Sequence, residues 1–150
     1  MAVIEVALAG REYDVVIEEG VLARLADAAA PFLKGYAGGR PVPFVADTNT
    51  HRIFADGINA NLAAHGLKAD WFVVTPGEDA KSWSVLEKLT DWLLALGVTR
   101  KDHVFALGGG VVGDLVGFAC AIMKRGCGFV QIPTTPVSYT HLTLPTNREV

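Results

Sequence analysis

Val104-Phe-Ala-Leu-Gly-Gly-Gly-Val-Val-Gly-Asp-Leu-Val-Gly117 is the stretch whose reading decides the fold. Its first four residues are apolar and predict a short buried strand. The glycines that follow predict a tight turn, and Gly113-Asp114 the opening of a helix. Gly108, Gly110 and Gly113 satisfy G-x-G-x-x-G in the strand-then-helix setting that a dinucleotide fingerprint needs. Without a side chain, a glycine lets the backbone come close to a ligand. The first turn of a helix adds unpaired N–H groups and a partial positive charge, and together these suit a phosphate. Apolar glycine-rich turns also arise for packing alone, so the pattern needs support elsewhere in the chain.

The usual support is an acidic residue about 20 positions downstream that holds the adenosine ribose. From Gly126 to Thr146 there is no Asp or Glu, so the ordinary order fails. An acid does stand upstream, where Pro41 to Ala46 predicts a strand and Asp47-Thr48-Asn49 follows it. If both strands share a parallel sheet, Asp47 and the glycine turn open on the same carboxyl edge, where ligands bind.

Working outward, residues 3–8 and 13–17 are β-rich runs joined by Ala9-Gly10-Arg11-Glu12, which predicts a hairpin forming an antiparallel edge. Val21 to Leu33 has helical spacing and is closed by Gly35 and Gly38-Gly39. Asn49 to His65 predicts a second helix, Trp71 to Val74 a strand, and Ser82 to Leu96 a third helix with its apolar residues at three-four spacing. Strands at 42–46, 71–74, 103–107 and 127–132 alternate with helices. The class is therefore α/β, a Rossmann-like parallel sheet with flanking helices and an N-terminal antiparallel β-hairpin. Asp47 to Asn49, Glu78 to Lys81, Gly108 to Asp114 and Thr134-Thr135 all follow strands and so fall on one edge. Glu78 suits ribose hydroxyls and Lys81 a phosphate or hydroxyl; a capping and solubility cluster is the other reading of that pair.

Whole-chain numbers bound these readings. At 150 residues, 51% hydrophobic and 19% charged, the chain can bury one core and is too short for two large domains. A formal charge of −3 and a pI near 5.7 give no electrostatic reason to expect nucleic acid or an anionic membrane. The apolar run from Val104 to Met123 contains five glycines and Asp114, which argues against a membrane helix. Met1 to Val6 does not read as a signal peptide. Cys120 and Cys127, the only cysteines, lack a C-x-x-C spacing and predict buried reduced thiols, which fits a soluble cytoplasmic protein. His51, His65 and His103 have no partner at metal-ligand spacing and are expected to be surface or structural residues.

Leu107 to Gly126, followed by Phe129-Val-Gln-Ile-Pro-Thr-Thr135, closely resembles the 3-dehydroquinate synthase family; Asp47-Thr-Asn49 and Pro76-Gly-Glu-Asp-Ala-Lys81 extend the resemblance over residues 1 to about 135. The resemblance implies an NAD-binding domain at 1–135 of an enzyme that cyclises 3-deoxy-D-arabino-heptulosonate 7-phosphate to 3-dehydroquinate and phosphate. It implies that Asp47, Asn49, Glu78, Lys81, Gly109, Gly110, Val111, Val112, Gly113, Asp114, Thr134 and Thr135 contact NAD. Arg125 would reach the substrate phosphate, a surface arginine beside Lys124 being the alternative. A divalent metal, zinc or cobalt, is implied as Lewis acid, with ligands in a C-terminal domain rather than in this chain; the full-length protein is expected to be a homodimer. From Pro136 the sequence departs from the family pattern, and residues 136–150 resemble translated adapter sequence. The expectation is a truncated chain, inactive alone. The competing readings are another sugar-phosphate cyclase of the 2-epi-5-epi-valiolone synthase kind, a more distant glycerol dehydrogenase relative, or a non-catalytic NAD-binding module.

Overall fold

The computed structural model describes residues 2–6, 13–17, 25–75, 82–99, 101–123 and 127–133. β1 (Ala2–Val6) and β2 (Tyr13–Ile17) pair antiparallel with Ala2 opposite Ile17. They form a two-stranded sheet of their own rather than an edge of the main one. The main sheet has β3 (Val42–Asp47), β4 (Ala69–Val74), β5 (His103–Gly108) and β6 (Gly128–Pro133), all parallel, in the order β4-β3-β5-β6.

The first predicted helix is broken. It consists of α1 (Leu25–Ala28), α2 (Ala30–Leu33) and a 3-10 turn over Lys34–Tyr36. The break at Ala29 has a local cause. Pro31 has no N–H to donate and its ring crowds the carbonyl four residues back, so a continuous helix cannot pass through it. Proline is tolerated in the first turn of a helix, and there α2 carries it. The later helices are regular: α3 (Thr48–Ala64), α4 (Trp83–Ala95) and α5 (Gly110–Ile122).

Strand order and crossover handedness together set the layers. The chain moves outward from β3 to β4, then jumps back across β3 to β5 and on to β6. Right-handed crossovers then place α3 on one face and α4 and α5 on the other. The buried clusters agree. On one face Phe44, Phe105, Leu107, Ile58 and Leu62 pack with Leu25, Leu33 and Tyr36. On the other, Val45, Val104 and Ala106 pack with Leu86, Leu89, Leu93, Val116 and Ala119. β3 and β5 are covered on both sides, as their nearly unbroken apolar sequence requires.

The amino edge of the sheet is closed by a polar cluster. Arg40 donates to both Asp102 carboxylate oxygens, at 2.7 and 3.3 Å, and to the carbonyls of Gly35 and Gly97. Thr99 donates its N–H to Asp102 at 2.9 Å, and the Tyr36 hydroxyl donates to the His103 carbonyl at 2.7 Å. Burial alone would raise the Asp102 pKa, but the hydrogen bonds from Arg40 and Thr99 outweigh it and hold the carboxyl below the usual carboxylate range. Burial, reinforced by the Asp102 charge, pushes the Tyr36 hydroxyl up. Cys120 and Cys127 are buried and unpaired as a disulfide, as the sequence predicts. Hydrogen bonding with Cys127 and burial push the Cys120 thiol up, which keeps it unreactive.

Candidate functional site

In an open α/β sheet a ligand binds outside the carboxyl ends of the strands, where the strand order reverses. Here the reversal lies between β3 and β5. Asp47 is the last residue of β3 and Gly108 the last of β5, and the register sets Ala46 beside Leu107. The acid and the glycine turn predicted to meet are therefore neighbours across the switch point.

The turn is built by two residues. Gly108 has φ +142°, a backbone region that L side chains avoid, and a Cβ there would meet Val112 Cγ2 at 3.2 Å and Asp47 Oδ2 at 3.5 Å. Gly109 is extended and starts the helix. α5 thus begins at Gly110 and not at Gly113-Asp114 as the sequence reading had it, because two glycines suffice to reverse the chain. Gly113 lies inside α5, where its use is packing: a Cβ there would fall 2.6 Å from Gln131 Nε2 on β6.

Capping differs among the helices. In α3, Asp47 Oδ1 accepts the Thr50 N–H at 2.8 Å, and Thr50 Oγ1 accepts the Asp47 N–H at 3.2 Å, a reciprocal capping box. In α4, Ser82 accepts from the Val85 N–H. α5 has no side-chain cap, because Gly109 has none to offer. Among the described residues nothing caps its first-turn N–H groups, which are left for solvent or for an anion, and a Cβ built on Gly110 would meet nothing within 4 Å. A backbone cradle with open space above it fits a dinucleotide pyrophosphate.

Asp47 therefore has two duties. Oδ1 is committed to the cap, while Oδ2 faces the glycine turn. Thr50, which sequence reasoning passed over, holds this arrangement: it is buried, and its hydroxyl lies 3.2 Å from the Leu107 carbonyl, tying α3 to the strand just before Gly108. The D-x-x-T spacing of a capping box was the signal available for it. Gln131 was also missed. Its Oε1 is buried beneath the first turns of α5 with no hydrogen-bond partner among the described residues.

Asn49 and Asp114 are exposed on the first turns of α3 and α5, and Val111 and Val112 follow the cradle. Glu78, Lys81, Arg125, Thr134 and Thr135 lie outside the described residues, as do residues 136–150. The strands leading toward Glu78 and Thr134, β4 and β6, end on the same edge as Asp47 and Gly108. His51 stands edge-on to Trp71, and His65 contacts the Asn61 carbonyl and Asp27. His103 starts β5 at the opposite edge of the sheet. Among the described residues, no three His, Cys, Asp or Glu side chains converge as a metal site would require. No helix among them is long and apolar enough to cross a membrane.

Comparison with known proteins bears on this edge. A family model described as 3-dehydroquinate synthase N-terminal matches residues 71–142. The chain is 43% identical over 132 residues to 3-dehydroquinate synthase of Paracoccus denitrificans and 40% identical over 135 residues to that of Ruegeria pomeroyi. These alignments take in 88% and 90% of the chain but about 35% of either relative, so the chain spans roughly a third of their length. Among solved structures, a 2-epi-5-epi-valiolone synthase from Streptomyces hygroscopicus with NAD+ and Zn2+ bound superposes with a TM-score of 0.69. It is 32% identical, over 90% of this chain and 34% of its own. A 2-deoxy-scyllo-inosose synthase, 20% identical with a TM-score of 0.74, shares the fold.

Proposed function

The chain belongs to the 3-dehydroquinate synthase family as its N-terminal part, and on that premise we propose that it is the NAD-holding part of a synthase. The whole enzyme would convert 3-deoxy-D-arabino-heptulosonate 7-phosphate to 3-dehydroquinate and phosphate in the shikimate pathway. The observation that carries this reading is the uncapped Gly109-Gly110 start of α5, open above and flanked by Asp47 Oδ2. Bound NAD would supply hydride acceptance and return. The chain's own residues would hold it: the first-turn N–H groups of α5 at the pyrophosphate, Asp47 at a ribose hydroxyl, and Asn49, Val111, Val112 and Asp114 around them. Glu78, Lys81, Thr134 and Thr135 belong to the same proposed set, and Arg125 to the substrate phosphate.

The divalent metal of the family reading would be held by the remainder of the enzyme. The chain by itself would bind NAD weakly and turn over nothing; in the cell we place it in the cytoplasm, within a homodimer of the full-length protein. A second reading is favoured by one observation, the 32% identity to the valiolone synthase: the parent enzyme would be a sibling cyclase acting on another sugar phosphate.

Calorimetric titration of the purified chain with NAD+ tests the core of the proposal. We expect saturable heat from the chain and none from its Gly110→Val variant. Absence of saturable heat from a folded chain would overturn NAD holding. Assaying a full-length relative with both sugar phosphates would decide between the two cyclase readings.

A further inference from the structure

Cys120 and Cys127, the two cysteines of the chain, lie against each other. Cys120 is in the last turn of α5 and Cys127 stands immediately before β6, with six residues between them. The Cys127 N–H donates to the Cys120 carbonyl at 3.0 Å, and the next N–H, that of Gly128, donates to the Asp102 carbonyl at 3.1 Å. Both cysteines are buried, at 1% and 4% exposure. Covalent geometry through the hydrogen bond between them keeps the two Cα atoms within roughly 7 Å, the reach of a disulfide. The side chains converge as well. The thiols hydrogen-bond to each other, and Cys120 Sγ lies 3.8 Å from the Gly128 carbonyl oxygen. Buried cysteines commonly serve as small apolar residues. Two of them, tied through the backbone and set thiol to thiol, are also placed for chemistry with each other.

The contact between the thiols sets which sulfur reacts first. The hydrogen bond from Cys120 holds the Cys127 thiol below its ordinary value, against burial and the Asp102 charge, which both raise it; Cys120 is pushed up. The thiolate is the nucleophile, so Cys127 attacks and Cys120, unreactive on its own, resolves. Among the described residues no third His, Cys, Asp or Glu converges on the pair, so a metal site is not what it builds. We propose that Cys120 and Cys127 form an oxidation-sensitive site, which a small peroxide converts to an intramolecular disulfide. The Cys127 sulfur attacks one peroxide oxygen and the O–O bond breaks. The departing hydroxide takes up the thiol's proton and leaves as water, and Cys127 becomes a sulfenic acid. The Cys120 sulfur then attacks the Cys127 sulfur, the S–O bond breaks, and a second water carries off the Cys120 proton. Two sulfurs are oxidised and one peroxide is reduced to two waters. The bond joins the end of α5 to the start of β6, whereas the glycine cradle is at the other end of that helix, so the inference rests on neither NAD binding nor the family. In sequence the ring it closes contains Arg125, the residue proposed for the substrate phosphate.

The test uses the purified 150-residue chain. After hydrogen peroxide in buffer, both thiols should be lost to titration in denaturant, with a mass loss of about 2 Da for two hydrogens and full recovery on dithiothreitol. A tryptic digest should contain the peptides of Cys120 and Cys127 joined to each other. In Cys120→Ser, dimedone should trap Cys127 as the sulfenic acid, and in Cys127→Ser, Cys120 should stay a thiol under the same conditions. Equilibration of the unsubstituted chain with glutathione separates folded apposition from mere nearness in sequence. The ratio of glutathione disulfide to thiol at half oxidation should be at least about tenfold lower in buffer than in urea. Thiols that survive peroxide in the folded chain overturn the inference, as do disulfides formed between chains, or a pair oxidised as readily in urea as in buffer. Dimedone capture at Cys120 in place of Cys127 overturns the order of attack.

Discussion

Gly108, Gly110 and Gly113 look alike in the sequence, and the structure gives them different physical reasons to be glycine. Gly108 has a positive φ and a crowded Cβ position, so Gly108→Ala is expected to destabilise the chain by about 1–3 kcal/mol. Gly113→Ala forces Gln131 aside and should cost a similar amount through overpacking. Gly110 has open space, so Gly110→Ala should fold normally, with a stability change of about +0.5 to +1 kcal/mol from improved helix propensity. NAD+ affinity should nevertheless fall at least tenfold, because the added methyl stands where the ligand would approach. Urea melts and calorimetric titration of the three variants check this divergence. Asp47 separates in the same way. Asp47→Ser keeps a capping oxygen and is expected to unfold within about 0.5 kcal/mol of wild type, whereas Asp47→Ala loses the α3 cap at a cost of about 1 kcal/mol. Both should weaken NAD+ binding, so a loss of affinity in the Ser variant reports the ligand contact without the cap. Thr50→Val removes the reciprocal half of the capping box and the link to Leu107, and is expected to cost about 1–2 kcal/mol.

Among the elements, the two ends of the parallel sheet divide the work. The carboxyl ends carry the candidate site, with uncapped N–H groups and a half-committed carboxylate. The amino ends carry a satisfied network in which Arg40 and Asp102 join the turn after α2 to the turn before β5. Because the folded Asp102 carboxyl titrates below its unfolded value of about 3.9, its contribution to stability is complete above that pH and is lost as pH falls through the folded value. Asp102→Asn should therefore flatten the acid limb of the stability profile and leave NAD+ binding unchanged, as measured by chemical denaturation from pH 7 downward. Removing the charge leaves the partly exposed Arg40 without its partner, at an expected cost of about 2–3 kcal/mol at neutral pH. The helices that follow β3 and β5 are set by their first residues. α3 starts on a side chain and α5 on none, which leaves first-turn N–H groups unclaimed by a side-chain cap at α5 and not at α3.

At the scale of the molecule, the chain is a doubly wound sheet whose switch point coincides with the candidate site, with a separate N-terminal two-stranded sheet. Purified and assayed alone with the heptulosonate phosphate, NAD+ and zinc, it is expected to give no turnover, and measurable dehydroquinate formation would refute the assignment of the missing steps to the remainder of the parent protein. The sequence by itself determined the strand and helix content, the parallel sheet, the buried thiols and the family resemblance. These rest on local periodicity, on short-range glycine punctuation and on a long specific motif, all of which are properties of neighbouring residues. It misjudged where α5 opens, which depends on the backbone angles the turn finally adopts, and it passed over the break before Pro31, a local signal that the proline itself supplies. Tertiary structure alone decided that Asp47 lies against Gly108 and that Thr50 pins it there. It also decided that Gly113 yields to Gln131 and that Phe118 and Ile122 face outward. The reason is that strand order and register are long-range facts: Asp47 and Gly108 stand 61 positions apart in the chain, and only the jump from β4 back across β3 makes them neighbours.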